Sequence, residues 1–281
     1  MRFATTLGGS RALAGTFDEK ALDELDESTI SRREALTAFG CDPSRVADEK
    51  RALDRTLGYV EVHIEQGPVL EKEGLPLGIV TTIDGVSRAT IDVEGIAGHA
   101  GTVPMAMRHD ALAAAAEMLL AIEERARRQP NLVATVGKLE VPRSAPNTIP
   151  GRVRFTLDIR GPADAERIKA VEDIRATIAA IAARRGVTQR LTPGHQAPAA
   201  HCDEKLSDLL AAAAESCGAA PRRMPSGAGH DAMAFDKIIP FAMLFIRCRG
   251  GVSHNPDEFA SPGDIDIAAR VLSTFLDRIG S

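Results

Sequence analysis

Four histidines of this 281-residue chain lie in predicted loops or strand ends flanked by glycine or proline, in positions where an imidazole could bind a metal or transfer a proton near neutral pH. They are His63, His99, His230 and His254. Glycine beside such a residue lets the backbone approach a ligand closely. One histidine of this kind says little, but four together favour a site that acts on a small molecule.

His63 lies in a segment, residues 58–68, that alternates apolar and polar side chains. This period of two predicts a strand that places His63 on one face with Glu61 and Glu65. Gly67 and Pro68 then end the strand, and the carboxyl end of a strand suits a metal or a substrate. The alternative is a half-buried strand whose polar face contains a histidine without a chemical role.

Two further polar residues, Asn147 and Arg160, have positions that suit substrate binding. Asn147 lies in a loop fixed by prolines, and Arg160 ends a predicted strand, where its planar fork could hold a carboxylate through two hydrogen bonds. The alternatives are a turn residue for Asn147 and a surface ion pair for Arg160. The other histidines, His109, His195 and His201, are assigned to solvent or to structural roles.

Composition limits the partners of the chain. A net charge of −5 argues against a nucleic-acid backbone, and one Tyr with no Trp supplies few platforms for base stacking. No apolar run reaches the length of a membrane span, and the first residues have no signal-peptide core. The four scattered cysteines lack a CxxC motif, which predicts reduced thiols and a cytoplasmic protein.

The pattern of elements predicts an α/β domain interrupted by a smaller α+β domain. Residues 84–192 follow the order β-α-β-β-α-β, which is typical of a ferredoxin-like sheet with two helices on one face. Residues 193–200 are interpreted as a linker. The predicted boundaries are therefore 1–83 with 195–281 for the α/β domain, and 84–194 for the insert. Predicted elements near the site include helices at 44–56 and after His230, and a strand at 132–141.

Six motifs in a fixed order resemble one known family. They are HIEQGP from His63, GHAGTVP from Gly98, APNTIPG from Ala145, DIR from Asp158, GAGHDA from Gly227 and SHNPDE from Ser253. Together they resemble the hydantoinase/carbamoylase branch of the M20-like dinuclear-zinc amidohydrolases, which includes N-carbamoyl-L-amino acid hydrolases, allantoate amidohydrolases and β-ureidopropionases. The resemblance implies a zinc-peptidase-like catalytic domain with an inserted lid that also forms a homodimer.

The resemblance also implies roles for individual residues. His63 and His254 each match the ligand of one of two divalent ions, zinc or else manganese or cobalt. His99 matches a lid histidine that stabilises the oxyanion, and His230 matches a second catalytic histidine. Gln66, Asn147 and Arg160 match contacts to the substrate, a small carbamoyl or ureido carboxylate. The implied reaction is metal-dependent cleavage of the carbamoyl C–N bond.

One departure from the family pattern leads to a second expectation. The family takes its remaining ligands and its general base from a His-x-Asp motif and a Glu-Glu pair, which are expected upstream of Met1. Each metal would then have one protein ligand here, short of the three that a catalytic zinc usually has. The alternative function is therefore an inactive, dimerising fragment that still binds ligand, and another is a relative that cleaves peptides. Substitution of the missing ligands by Glu61 or Glu65 is not favoured.

Overall fold

The structure is a computed structural model that describes residues 2–280, and it divides into two compact units. The first unit contains the chain up to Ile83 and again from Ala200 onward, and the second contains Asp84–Ala199. Within the described residues, no helix is both long and apolar enough to cross a membrane.

Helices and strands alternate along the chain. The α-helices are α1 (Gly8–Ala14), α2 (Arg32–Ala38), α3 (Val69–Glu73), α4 (Ala111–Arg127), α5 (Asp164–Arg185), α6 (Glu204–Ser216) and α7 (Pro262–Ile279). The strands are β1 (Tyr59–Ile64), β2 (Leu77–Ile83), β3 (Gly85–Glu94), β4 (Gly98–His99), β5 (Val133–Thr135), β6 (Leu139–Glu140), β7 (Thr148–Ile149), β8 (Arg152–Gly161), β9 (Thr188–Ala197), β10 (Ala200–His201), β11 (Arg222–Ser226) and β12 (Phe241–Ile246). Short 3-10 helices span Glu19–Asp23, Pro43–Glu49, Met105–Met107, Asp231–Phe235 and Arg249–Gly251.

The sheet of the first unit has the order β1-β12-β2-β10, and β11 also pairs with β2. Strand β12 is buried at all six positions, as expected for a strand covered on both faces, and β1 runs parallel beside it. Helices α6 and α7 pack on one face through Leu210, Val271 and Phe275. The other face is covered by a second apolar cluster that includes Leu70 and Phe245. Pairing along all six residues with the buried strand β12 therefore fixes β1 and the polar residues that it carries.

The sheet of the second unit has the antiparallel order β5-β8-β3-β9, with β6 also paired to β8. The alternate residues Ile91, Val93, Phe155 and Leu157 point into a core that α4 and α5 complete. This is the predicted β-α-β-β-α-β order, and the predicted fold class, an α/β domain interrupted by a ferredoxin-like domain, is confirmed.

Several predicted boundaries differ from the structure. The segment interpreted as a linker from residue 193 belongs to β9, which pairs with β3 as far as Ala197, so the second unit ends at Ala199 and not at residue 194. Pro193 cannot donate to a ladder, but β9 is an edge strand, where proline is tolerated. The register also shifts between Ser87 and Ala89 of β3, which accommodates the irregular stretch.

Three other elements are shorter than predicted. The strand at 132–141 is split into β5 and β6, with Gly137 between them, and glycine weakens a strand interior. The helix at 44–56 is only a 3-10 helix, Pro43–Glu49, whose N-cap Asp42 accepts from Ser44. The helix after His230 is likewise a 3-10 helix, Asp231–Phe235.

Candidate metal centre and active-site residues

Three potential metal ligands come together in the first unit. Glu61 and His63 are two residues apart on β1 and so point to the same face of the sheet, while His230 immediately precedes the 3-10 helix Asp231–Phe235. One ligand atom from each of the three lies within 4.8 Å of the others. The rings of His63 and His230 meet edge to face, with their centroids 4.6 Å apart.

Hydrogen bonds orient these three side chains. His63 Nδ1 lies 2.8 Å from the carbonyl oxygen of Ile64, which can only accept, so this nitrogen carries the proton and Nε2 presents its lone pair. His230 Nε2 lies 2.7 Å from the hydroxyl of the buried Ser226, and its Nδ1 lies 3.8 Å from Glu61 Oε1. Glu61 Oε2 accepts from the backbone N–H of Ala232 at 2.8 Å. Such outer partners are what fix the orientation of metal ligands.

Burial sets the protonation state of the cluster. It lowers the pKa of His230 to about 4, with help from the neighbouring His63, so the His230 imidazole is neutral at pH 7. Burial also raises the pKa of Glu61, although the hydrogen bond from Ala232 opposes this shift. A neutral imidazole is the form that binds a metal.

The donor chemistry of the cluster fits a divalent cation. Two imidazole nitrogens and one carboxylate are a known protein ligand set of catalytic zinc, which keeps a fourth position open. Three candidate ligands from this chain therefore surround one position, whereas one ligand per metal was expected from the sequence. Glu61, which that expectation did not favour as a ligand, is one of the three candidates.

Glu65, the other carboxylate considered on β1, has a different role. It is buried, and its two oxygens accept from the backbone N–H groups of Val69 and Leu70 at 2.8 and 2.9 Å. These are unsatisfied donors of the first turn of α3, so Glu65 caps that helix. It is not part of the metal cluster.

Gln66 and His254 lie in two loops that are joined by one side-chain contact. Gln66, whose φ is 57°, donates from Nε2 to the hydroxyl of Ser253 at 2.5 Å. His254 follows Ser253 with a φ of 55° and an exposed side chain, and its backbone N–H donates to Glu258 at 3.2 Å. His254 is not one of the three clustered ligands, and its role as a ligand stays a prediction.

His99 and Asn147, from separate motifs, are neighbours in the second unit. The two-residue strands β4 and β7 pair, which places His99 opposite Thr148, and the backbone N–H of Ala100 donates to the carbonyl of Asn147 at 2.8 Å. Both side chains are exposed. The ring of His99 is held from within its own loop, since the backbone N–H of Gly101 donates to Nδ1 at 3.0 Å.

Arg160 lies on β8 of the second unit, where carboxylates face it. Its Nε and one terminal nitrogen donate to the two oxygens of Asp158 at 2.8 and 3.0 Å, and Asp158 also accepts from Arg88. Burial raises the pKa of Asp84 to about 7, while the positive charge of Arg160 opposes that shift. Arg160 thus already forms the bidentate pair that a substrate carboxylate was predicted to make, and its role as a clamp stays a prediction.

Sequence analysis missed several residues that position these groups. Ser226 was not singled out, yet its hydroxyl is the partner of His230. Ser10 donates to Asp231 at 2.7 Å and so ties α1 to the loop of His230. Arg108 binds the loop of His99. Only Glu61 had a usable signal, its spacing of two from His63 on a strand.

Comparisons with known proteins agree with this description. The sequence profile of Peptidase family M20/M25/M40 matches residues 5–278. The chain is 38% identical over 308 residues to allantoate deiminase 2 of Glycine max, covering 99% of this chain and 64% of that protein. It is 41% identical over 274 residues to an N-carbamoyl-L-amino acid amidohydrolase of Geobacillus stearothermophilus, covering 96% and 66%.

A solved structure shows the same fold. An amidase of the hydantoinase/carbamoylase family from Burkholderia multivorans superposes with a TM-score of 0.90 at 34% identity, covering 100% of this chain and 68% of that one. The chain thus spans about two thirds of the length of the relatives that it matches. On these grounds the chain belongs to peptidase family M20/M25/M40 and, within it, to the hydantoinase/carbamoylase branch.

Proposed function

We propose that this protein is a metal-dependent amidohydrolase that cleaves the carbamoyl or ureido C–N bond of N-carbamoyl amino acids or allantoate-like substrates. The observation that carries the proposal is the cluster of Glu61, His63 and His230, a ligand set suited to hydrolysis, in a chain of this family. Relatives that act on allantoate and on N-carbamoyl-L-amino acids, by their names, support the substrate class.

A divalent cation, with zinc first and manganese or cobalt as alternatives, would be held by Glu61, His63 and His230. When bound, such a cation supplies Lewis acidity, which polarises a carbonyl and makes water more acidic. His63 offers Nε2 because Ile64 occupies its Nδ1, and the low pKa of His230 keeps that imidazole available. His254 is the proposed ligand of a second cation.

The remaining residues would bind the substrate and stabilise charge. The Nδ1 of His99 accepts a hydrogen bond, so the ring can donate from Nε2 to a developing oxyanion. The side-chain amide of Asn147 can donate to the same substrate or accept from it. Arg160, which already pairs with Asp158, is the proposed contact of a substrate carboxylate, and Gln66 completes the set of proposed contacts.

The protein would work as a cytoplasmic homodimer whose contact is formed by the second unit. Its four cysteines form no disulfide, which supports a reducing compartment. The dimer rests on the resemblance to the family and is tested by sedimentation equilibrium. The alternative of an inactive ligand-binding fragment has no support from the comparisons, which match hydrolases by name.

Metal removal tests the proposed function. Protein loaded separately with zinc, manganese or cobalt is expected to release ammonia from N-carbamoyl-L-amino acids or allantoate, and a chelator should abolish this release. His63→Ala should lower both metal retention after dialysis and turnover by at least about 100-fold, because it removes one of three clustered ligands. His195→Ala, an exposed histidine on β9, is the matched control and should leave both unchanged.

The two readouts can contradict the proposal separately. A parent protein that retains metal but hydrolyses no carbamoyl or ureido substrate would exclude this substrate class. A parent that retains no metal after loading and dialysis would exclude the cluster as a metal centre and favour the ligand-binding alternative.

A further inference from the structure

The loop that follows β4, residues 99–104, is held from outside by one side chain. The half-buried Arg108 donates from Nε to the carbonyl of Val103 at 3.1 Å and from a terminal nitrogen to the carbonyl of Ala100 at 2.6 Å. One planar guanidinium thus bridges two carbonyls that are three residues apart. A lysine, with its single ammonium on a flexible stem, could not reproduce this two-point contact in the same geometry.

The loop in turn holds the ring of His99. The backbone N–H groups of Thr102 and Val103 donate to the carbonyl of His99 at 3.3 and 3.2 Å, which makes the turn compact. Inside this turn the backbone N–H of Gly101 donates to His99 Nδ1 at 3.0 Å. A side chain at position 101 would begin only 3.3 Å from Cε1 of the ring, so a larger residue there would push the ring by a few tenths of an ångström.

The hydrogen bond that Gly101 donates to His99 determines the tautomer of the His99 ring. A backbone N–H can only donate, so Nδ1 of His99 must be the acceptor and carries no proton. The neutral ring therefore has its proton on Nε2. In this form the exposed imidazole is a hydrogen-bond donor, which is what stabilisation of an oxyanion requires.

We infer that Arg108 is a positioning residue that keeps His99 in the Nε2–H tautomer by fixing the turn 99–104. This inference rests on the proposed function in one respect only, namely that the Nε2 proton of His99 stabilises an oxyanion. Without the guanidinium, the carbonyls of Ala100 and Val103 lose their partner and the turn relaxes. The bond from Gly101 is then weakened, and the two neutral tautomers of His99 compete.

The direct test is nitrogen NMR of protein labelled with ¹⁵N-histidine. The His99 signals are assigned with His99→Gln, and their shifts report which nitrogen is protonated. The parent is expected to show nearly pure Nε2–H at His99. Arg108→Met should give a mixture of tautomers, so the ¹⁵N chemical shifts of His99 Nδ1 and Nε2 should move toward each other. Arg108→Lys should give a smaller change. Arg128→Met removes an exposed arginine that pairs with Glu124 on α4 and should leave His99 unchanged.

Two results would overturn the inference. One is a parent protein in which His99 is already a mixture of tautomers. The other is an Arg108→Met protein that folds and keeps a pure Nε2–H signal. Should Arg108→Met fail to fold, Arg108→Lys decides, because it keeps the positive charge but lacks the planar guanidinium. An unchanged His99 signal in Arg108→Lys would equally reject the role of the guanidinium.

A kinetic test uses the hydrolytic activity of the parent. Arg108→Met is expected to lower kcat by about 10- to 100-fold with KM within about twofold, since the group lost acts on charge that develops after binding. In a His99→Gln background the same change should have little further effect, because both act through one ring. Fully additive losses would contradict the inference. A parent without activity would reject the proposed function, while the NMR result would still decide the role of Arg108.

Discussion

In the second unit, the carboxylates of Asp158 and Asp84 interact with Arg160, the residue proposed to bind the substrate. Arg160 has Asp158 on its fork, and Asp84 has a pKa raised to about 7 by burial, with one carboxylate oxygen that lacks a hydrogen-bond partner among the described residues. A carboxylate in this state is costly to ionise. Asp84 therefore tends to stay protonated up to near neutral pH.

Asp84 should make stability depend on pH. Its pKa is raised in the folded protein, so the folded state binds the proton more tightly than the unfolded chain, and stability falls as pH rises from about 4 to about 7. Asp84→Asn removes this proton and should flatten that part of the profile, with a melting temperature at pH 8 that is higher by a few degrees. Thermal melts of both proteins from pH 4 to 8 are the measurement. Parallel profiles would mean that Asp84 ionises normally.

At the scale of elements, strand β1 and helix α3 are joined through Glu65. The strand ends at Ile64, and the next side chain caps the following helix through two backbone N–H groups. This arrangement fixes the direction of the chain after His63. It also explains why a carboxylate so near the metal cluster takes no part in it.

Loss of this cap should weaken the first unit. Glu65→Ala is expected to lower the free energy of unfolding by about 1–3 kcal/mol, because one buried and one part-buried donor of α3 lose their acceptor. The nearby Lys72→Ala, on the exposed side of the same helix, should cost less than about 0.5 kcal/mol. Urea titrations give both values. Equal effects of the two substitutions would argue against a capping role.

Elements with a strong local signal were predictable from the sequence, while contacts between distant segments were not. The apolar, β-branched run Leu77–Ile83 forms strand β2, and Asp203 caps α6 as its position before an apolar helix suggests. The continuation of β9 past Pro193 depends on an edge position that no local pattern shows. The approach of His63 to His230 depends on packing of the 3-10 helix Asp231–Phe235 against β1, and the Ser226 contact also follows from packing. Arg160 was predicted to bind a substrate carboxylate. Its pairing with Asp158 depends on the rotamers of both side chains, which the spacing of residues in the sequence does not determine.

At the scale of the whole molecule, the second unit has its own sheet, two helices and an apolar core, so it should fold when excised. Residues 84–199 are expected to unfold cooperatively in urea, and Phe155→Ala in the centre of the core should cost about 3–5 kcal/mol. A version that ends at residue 194 should be less stable, because it loses the pairing of Ala197 and Gln196 with β3. Equal stability of the two lengths would show that the end of β9 contributes nothing.

The pairing of β4 with β7 restricts how this part of the chain can evolve. His99 and Asn147 belong to loops almost fifty positions apart, yet a ladder of only two residues and the Ala100 bond to Asn147 set their relation. Insertion of one residue beside either strand would slip the register and turn one of these side chains to the opposite face. The two short strands should therefore tolerate substitution far better than any change in length.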